Sequence, residues 1–271
     1  MKSMRILGVA LVAVFAVVAF TATSAMANPT WKACVKSEKG KGEYSDKLCS
    51  VGAGGTGSYN LVEGIGKGKG FKGKGGTATL HNEIPGHGDV KVVCTSFKDS
   101  GSIAAPNKVF GVKSEFKHCT SLGGAPCKTE GGKKETITTK ALAGNLGWLN
   151  KSKNEAGESL TSEAAPSTGY LAEFECEGLA KVRVHGAVIG QVTPVGSVGK
   201  ESSTVFSVGP YLGEVAPGYT PIVNRPAFEE EGVGVLLTEL NGPETGNEWS
   251  ESIPSGQEGT AVNKGESLEI S

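Results

Sequence analysis

Glycine and proline interrupt this chain about every ten residues, and the stretches between them alternate apolar and polar side chains with period two. Side chains alternate across a strand, so each such stretch has a core side and a wet side. Glycine numbers 41 of 271 residues, about twice the usual share. The pattern predicts an all-β, antiparallel β-sandwich or barrel-like domain with disulfides and long Gly/Pro-rich loops.

Four stretches show their faces directly. In 109–117, Phe110, Val112 and Phe116 are expected on one side and Lys113, Glu115 and Lys117 on the other. In 89–94, Val90, Val92 and Cys94 share a face. In 171–177, Ala172, Phe174 and Cys176 oppose Glu173, Glu175 and Glu177. In 181–187, Val182 and Val184 oppose Lys181, Arg183 and His185. The last two read as a hairpin through Gly178-Leu179-Ala180, setting Glu177 beside Lys181, Glu175 beside Arg183 and Glu173 beside His185. Opposite charges directly across a strand pair contribute ~0.2–1 kcal/mol each. Further strands are expected at 58–65, 76–83, 134–140, 203–208 and 233–240, with a closing hairpin near 259–270. Residues 141–149 carry leucines at helical spacing. Gly144 and Gly147 interrupt them, so the segment reads as strand or irregular.

The first 27 residues read as a secretory leader. Lys2 and Arg5 precede an apolar run from Ile6 to Phe20, and Ala25-Met26-Ala27 offers a small-residue cleavage site. The run is short for a membrane span. The expected product begins at Asn28, is secreted and stays extracellular or loosely surface-associated, with no membrane span. Its domain plan is a disulfide-stapled arm (28–57), a core β-sandwich domain (58–208) and a C-terminal extension with strands (209–271) that is either separate or part of the same domain, and of which 209–232 is a long surface excursion.

Six cysteines in an exported chain read as disulfides, and six allow fifteen pairings. The expected bridges are Cys34–Cys49 in the arm, Cys119–Cys127 across the intervening loop, and Cys94–Cys176 between core strands. The formal charge of −1 hides an asymmetry. Residues 28–140 carry 18 Lys and Arg against 10 Asp and Glu, whereas 141–271 carry 7 against 18. One reading is a basic face for an anionic polymer. The simpler one is that strands of the two halves are neighbours and neutralise each other.

Motifs for chemistry are sparse. The stretch 66–76, GKGKGFKGKGG, contains GxGxxG but lacks the helix and hydroxyl residue of a phosphate loop. It reads as a flexible basic hairpin loop, with Lys67, Lys69, Lys72 and Lys74 as a possible anion-binding set that would suit a cell-wall or other extracellular polymer. No nucleic acid and no cofactor is indicated. His81 and His87 have no zinc-site spacing, no HExxH or GxSxG occurs, and three aspartates cannot supply a calcium loop. No catalytic or metal-ligating residue is assigned. Glutamates are abundant enough for carboxylate catalysis, yet those of 173–177 read as a solvated strand face. Among the aromatics, Tyr211 and Tyr219 fall in the excursion and Trp148 reads as core.

The segments CTSFKDSG (94–101), KETITTKALAG (134–144), YLAEFECEG (170–178) and VIGQVTPV (188–195) resemble a group of uncharacterised exported proteins of actinobacteria. That resemblance implies an exported β-rich protein and carries no assigned activity. The sequence therefore supports a secreted non-catalytic binding or structural module, with a secreted hydrolase of glycoside or ester bonds as the alternative.

Overall fold

The computed structural model describes residues 28–63, 69–84, 88–166, 168–210, 222–225, 227–229, 232–233 and 235–271. The leader read at 1–27, Lys67, His87, Tyr211 and Tyr219 lie outside the described residues. The arm holds β1 (Trp31–Lys36), β2 (Gly42–Tyr44), β3 (Gly52–Gly57) and β4 (Tyr59–Glu63). Three long strands follow, β5 (Lys69–Ile84), β6 (Gly88–Ala105) and β7 (Lys108–Thr120), then short β8 (Cys127–Lys128) and β9 (Thr136–Thr138). Next come β10 (Leu142–Asn150), β11 (Glu155–Ser162), β12 (Tyr170–Cys176), β13 (Ala180–Thr193) and β14 (Gly199–Pro210). The last are β15 (Ile222–Arg225), β16 (Ala227–Phe228), β17 (Gly232–Val233), β18 (Leu236–Asn241) and β19 (Ile253–Ile270).

The pairings close on themselves. Following antiparallel neighbours gives β5–β6–β7–β10–β11–β13–β14–β19 and back to β5. This is a barrel, and closure removes the unpaired edges that an open sandwich must protect. At the opposite end the wall is built differently. There β7 pairs β9, β12 bridges β8 and β13, and β18 links β13 to β19. The long strands thus change neighbours part-way along. In β13 one edge passes from β12, last paired at His185, to β11, first paired at Ala187, and Gly186 stands between them. Gly186 has φ +94°, and a Cβ there would run into the Val235 carbonyl.

Inward positions are apolar, including Leu80, Val92, Phe97, Val112, Leu142, Leu160, Phe174, Val184 and Val188. Outward positions of β5–β7 carry Lys72, Lys74, Lys98, Lys113 and Glu115, all exposed. A lipid-facing barrel has the reverse arrangement. No helix among the described residues is long and apolar enough to cross a membrane. The 141–149 segment is strand β10, with Leu142 and Leu146 buried.

Several expectations are corrected. The hairpin of β12 and β13 forms, with the Glu face outward, but its register is shifted by two residues. Cys176 faces Ala180, Glu175 faces Lys181 and Glu173 faces Arg183. The loop is Glu177–Leu179, which centres Gly178 (φ +72°) in the turn. A two-residue shift keeps every side chain on its own face. Phe110 is partly exposed while Val109 and Val112 are buried, because β7 bulges against β6 between Phe110 and Lys113. No hairpin closes the chain: 253–270 is one strand, inserted between β5 and β14, so the C-terminal stretch is part of the barrel wall.

Cys34–Cys49 forms as expected, with Cα atoms 5.7 Å apart. The other two bridges are Cys94–Cys119 and Cys127–Cys176, each with Cα atoms 4.0 Å apart. Cys94 sits directly opposite Cys119 across β6 and β7, and Cys127 directly opposite Cys176 across β8 and β12. Register, rather than loop proximity, chose the partners. On the chain-entropy account the two closed loops, of separation 25 and 49, stabilise by about 3.5 and 4 kcal/mol.

The neighbour exchange at Gly186 generates a prediction. Gly186→Ala is expected to destabilise the fold by at least about 2 kcal/mol, because a positive φ and a blocked Cβ position coincide. Chemical denaturation checks this, and an unchanged midpoint would contradict the exchange.

Candidate functional site

Of the stretch expected to be a basic loop, residues 69–76 are strand. In β5, Lys72 and Lys74 point out to water, while Gly73 and Gly75 face the interior. The Gly/Lys alternation is period-two patterning in which the inward residue is glycine. The reason lies across the register: Gly73 faces Asp99 and Gly75 faces Phe97. A Cβ at Gly75 would overlap the Phe97 ring, and one at Gly73 would overlap the side chains of Asp99 and Asn263. The glycines therefore make room for a ring and two polar groups inside the barrel.

That interior contains a cavity of about 120 Å³. Its wall is mainly aliphatic and aromatic, with Ser114, Thr139, Thr204 and Gln257 among the polar exceptions. Asp99 reaches it from β6, Glu158 from β11 and Asn263 from β19. Glu158 lies on the inward face of β11 with Ala156 and Leu160, and is only 7% exposed. A second chamber of about 50 Å³ adjoins it near Trp31, Lys200 and Lys264. Phe71, Glu158, Thr204 and Asn263 line both spaces, so the Glu158 carboxyl stands at the junction.

Burial dominates the electrostatics. It raises the Glu158 carboxyl to about 7, and the neighbouring Asp99 charge pushes in the same direction. Burial also raises Asp99 to about 6, opposed by its own backbone N–H and that of Gly73. The Asn263 amide donates from Nδ2 to the Thr204 hydroxyl at 3.2 Å. In that orientation Asn263 Oδ1 and Asp99 Oδ1 are both buried without a donor. Turning the amide over presents its N–H₂ towards Asp99 and lets Thr204 donate to Oδ1, so this trio can satisfy itself. No donor from any described residue reaches the Glu158 carboxyl.

The lysine set of the sequence reading is partly placed. Lys72 and Lys74 are on the outer face; Lys69 begins β5; Lys67 is outside the described residues. Strands β5, β6 and β7 are neighbours and carry outward lysines, while β19, β10 and β12 of the acidic half pair with β5, β7 and β8, so the two halves also meet, as in the Lys128–Glu175 ion pair. Lys74 lies directly opposite Lys98, and Lys72 lies between Lys264 and Ser100. Glu115 lies on this face, directly opposite Lys98 and paired with Lys117, and Glu201 pairs with Lys264. Beside Lys72 and Lys264 a shallow groove is floored by Gly70, Gly101 and Gly111.

Two other polar clusters are structural. Buried His81 places Nδ1 3.0 Å from Asp89 and Nε2 3.3 Å from Glu258, tying β6 and β19 to β5. On the outside, Arg183 packs between Trp249 (3.8 Å) and Tyr170 (4.8 Å) and donates to Glu173 at 2.8 Å. Nearby, His185 Nε2 approaches both Ser252 (3.2 Å) and Glu239 (3.6 Å). A catalytic triad needs its acid on the other ring nitrogen, so this group is not one. Among the described residues, no cluster of three or more His, Cys, Asp or Glu is arranged to hold a metal ion.

No family model matches this chain, and no curated protein or solved structure matches it either.

Sequence reasoning missed Glu158 and Asp99, though a signal existed. Ala156, Glu158 and Leu160 alternate, as do Phe97, Asp99 and Ile103, and each puts a carboxylate on an apolar face.

The raised Glu158 carboxyl makes stability depend on pH. An acid whose folded value exceeds its unfolded value holds its proton more tightly in the native state. Its contribution is fully present below about pH 4.5 and is lost as pH rises through about 7. Glu158→Gln removes the titration. Relative to this variant, the wild type is expected to lose roughly 3 kcal/mol between those limits, at up to about 1.4 kcal/mol per pH unit. Parallel denaturation curves across pH check it, and a constant difference would contradict the burial.

Proposed function

We propose that this is an exported, non-catalytic binding protein whose barrel interior takes up a small, largely apolar ligand. The carrying observation is the mainly apolar cavity within the barrel, joined to an outer chamber through Glu158. Apolar pockets with a few convergent polar groups are the usual form of small-ligand sites. A cavity of this order is large enough for a benzene-sized molecule. The leader-like N-terminus and the three disulfides support an extracellular setting.

The two raised carboxyls favour a second reading, a hydrolase using Asp99 and Glu158. Space weighs against it. The cavity would be filled by one small ring, whereas a glycoside substrate must place groups on both sides of the scissile bond, with water admitted. The outer lysine face supports contact with an anionic extracellular polymer, and Lys74 opposite Lys98 is a like-charge pair that folding alone does not favour.

Two outcomes are expected. Toluene should raise the thermal midpoint of the oxidised protein in a concentration-dependent way, and Ala172→Leu, which fills the cavity, should abolish the shift. Failure of toluene and its close analogues to bind the wild type would overturn the interior site. Retention on a polyphosphate matrix should be lost at high salt and in a Lys74→Glu/Lys98→Glu variant; salt-insensitive retention would overturn the polymer contact.

A further inference from the structure

The interior holds a carboxyl group for which the fold supplies no partner. Glu158 is 7% exposed and lines both chambers. No backbone N–H, hydroxyl or cation among the described residues reaches it, and the nearby polar group Asp99 is itself an acceptor. A buried ionised carboxylate without a donor costs several kcal/mol. If the position served packing alone, an aliphatic residue would fill it better, as Ala156 and Leu160 do on the same face of β11.

We propose that the ligand is a small cationic amine with an apolar body, its ammonium group held by Glu158 and its body lying in the cavity. This rests on the interior-binding reading above and adds the chemistry of the head group. Three observations shape the choice. Among the described residues, the fixed charges lining the inner cavity are acidic, Asp99 and Glu158, while the outer chamber adds Lys200 and a Lys264–Glu201 ion pair. The rest of the wall gives an ammonium group nothing comparable to pair with. The remaining cavity is apolar and admits a body of about six carbon atoms.

The charge bookkeeping is simple. Below about pH 7 the Glu158 carboxyl holds a proton in the empty site. The incoming ammonium replaces that proton, which leaves to solvent. One carboxylate and one ammonium then form an ion pair shielded from water, where such a pair is strong only if its geometry is complete. Amine uptake is therefore coupled to release of about one proton at mildly acidic pH, and affinity rises with pH until Glu158 is ionised.

The test compares three near-isosteric probes, benzylamine, benzyl alcohol and toluene, by calorimetry on the oxidised protein. The expected result at pH 7.5 is benzylamine binding at least tenfold more tightly than the other two. Between pH 5.5 and 6.5 its affinity should rise several-fold, and its heat should vary with the ionisation enthalpy of the buffer. Glu158→Gln should lose the preference for the amine while still binding toluene. Equal binding of all three probes, or preference for the alcohol, overturns the amine assignment and leaves interior binding standing. No binding by any probe overturns both.

Discussion

The pairing of β19 with β5 holds the whole architecture. Residues 255–264 run against 72–82, joining the last strand of the chain to the first long one. Without that seam the sheet is open, Leu80, Phe97 and Ala261 face water, and no interior exists. With it, each long strand acquires two neighbours and each inward side chain a lid. His81 reinforces the seam from within the wall, reaching Glu258 of β19 and Asp89 of β6 from β5.

Closure also fixes what the interior must contain. Phe97 and Asp99 project from β6 into a barrel whose opposite wall carries Thr204, Phe206 and Glu158. The space exists because Gly73 and Gly75 stand where other strands place side chains. Glycine in a strand weakens it and marks close approach of another group. Here the groups are an aromatic ring and a carboxylate-amide pair. The same glycines set Lys72 and Lys74 on the outer surface, so one short stretch shapes both the cavity and the basic face.

Local features of this architecture were legible in the sequence because they depend only on period-two alternation. The β12–β13 hairpin, its charged outer face and its buried Phe174 and Val182 follow from alternation, whereas 141–149 was readable as strand or irregular only through the glycines that interrupt its helical leucine spacing. The Cys34–Cys49 bridge lies within one small arm. What could not be read depends on pairings between distant residues. Cys94 and Cys119 are partners because two strands chose a register, and a register is set by contacts along their whole length. Closure brings residues near 75 beside residues near 260, a relation that no local window contains. The GKGKGFKGKGG stretch was misleading for a physical reason. Glycine is usually a turn signal, and only the side chains opposite explain its use at inward strand positions. Glu158 was legible as an inward residue of an apolar strand. Its lack of a partner became visible only once the other walls were in place.

The most direct test is the titration of Glu158 itself, followed by carboxyl carbon NMR with Glu158→Gln to assign the resonance. A closed barrel that holds this side chain largely out of bulk water predicts a midpoint near 7. A midpoint at the ordinary glutamate value of 4.5 would mean that water reaches the carboxyl freely, and would contradict the enclosed interior.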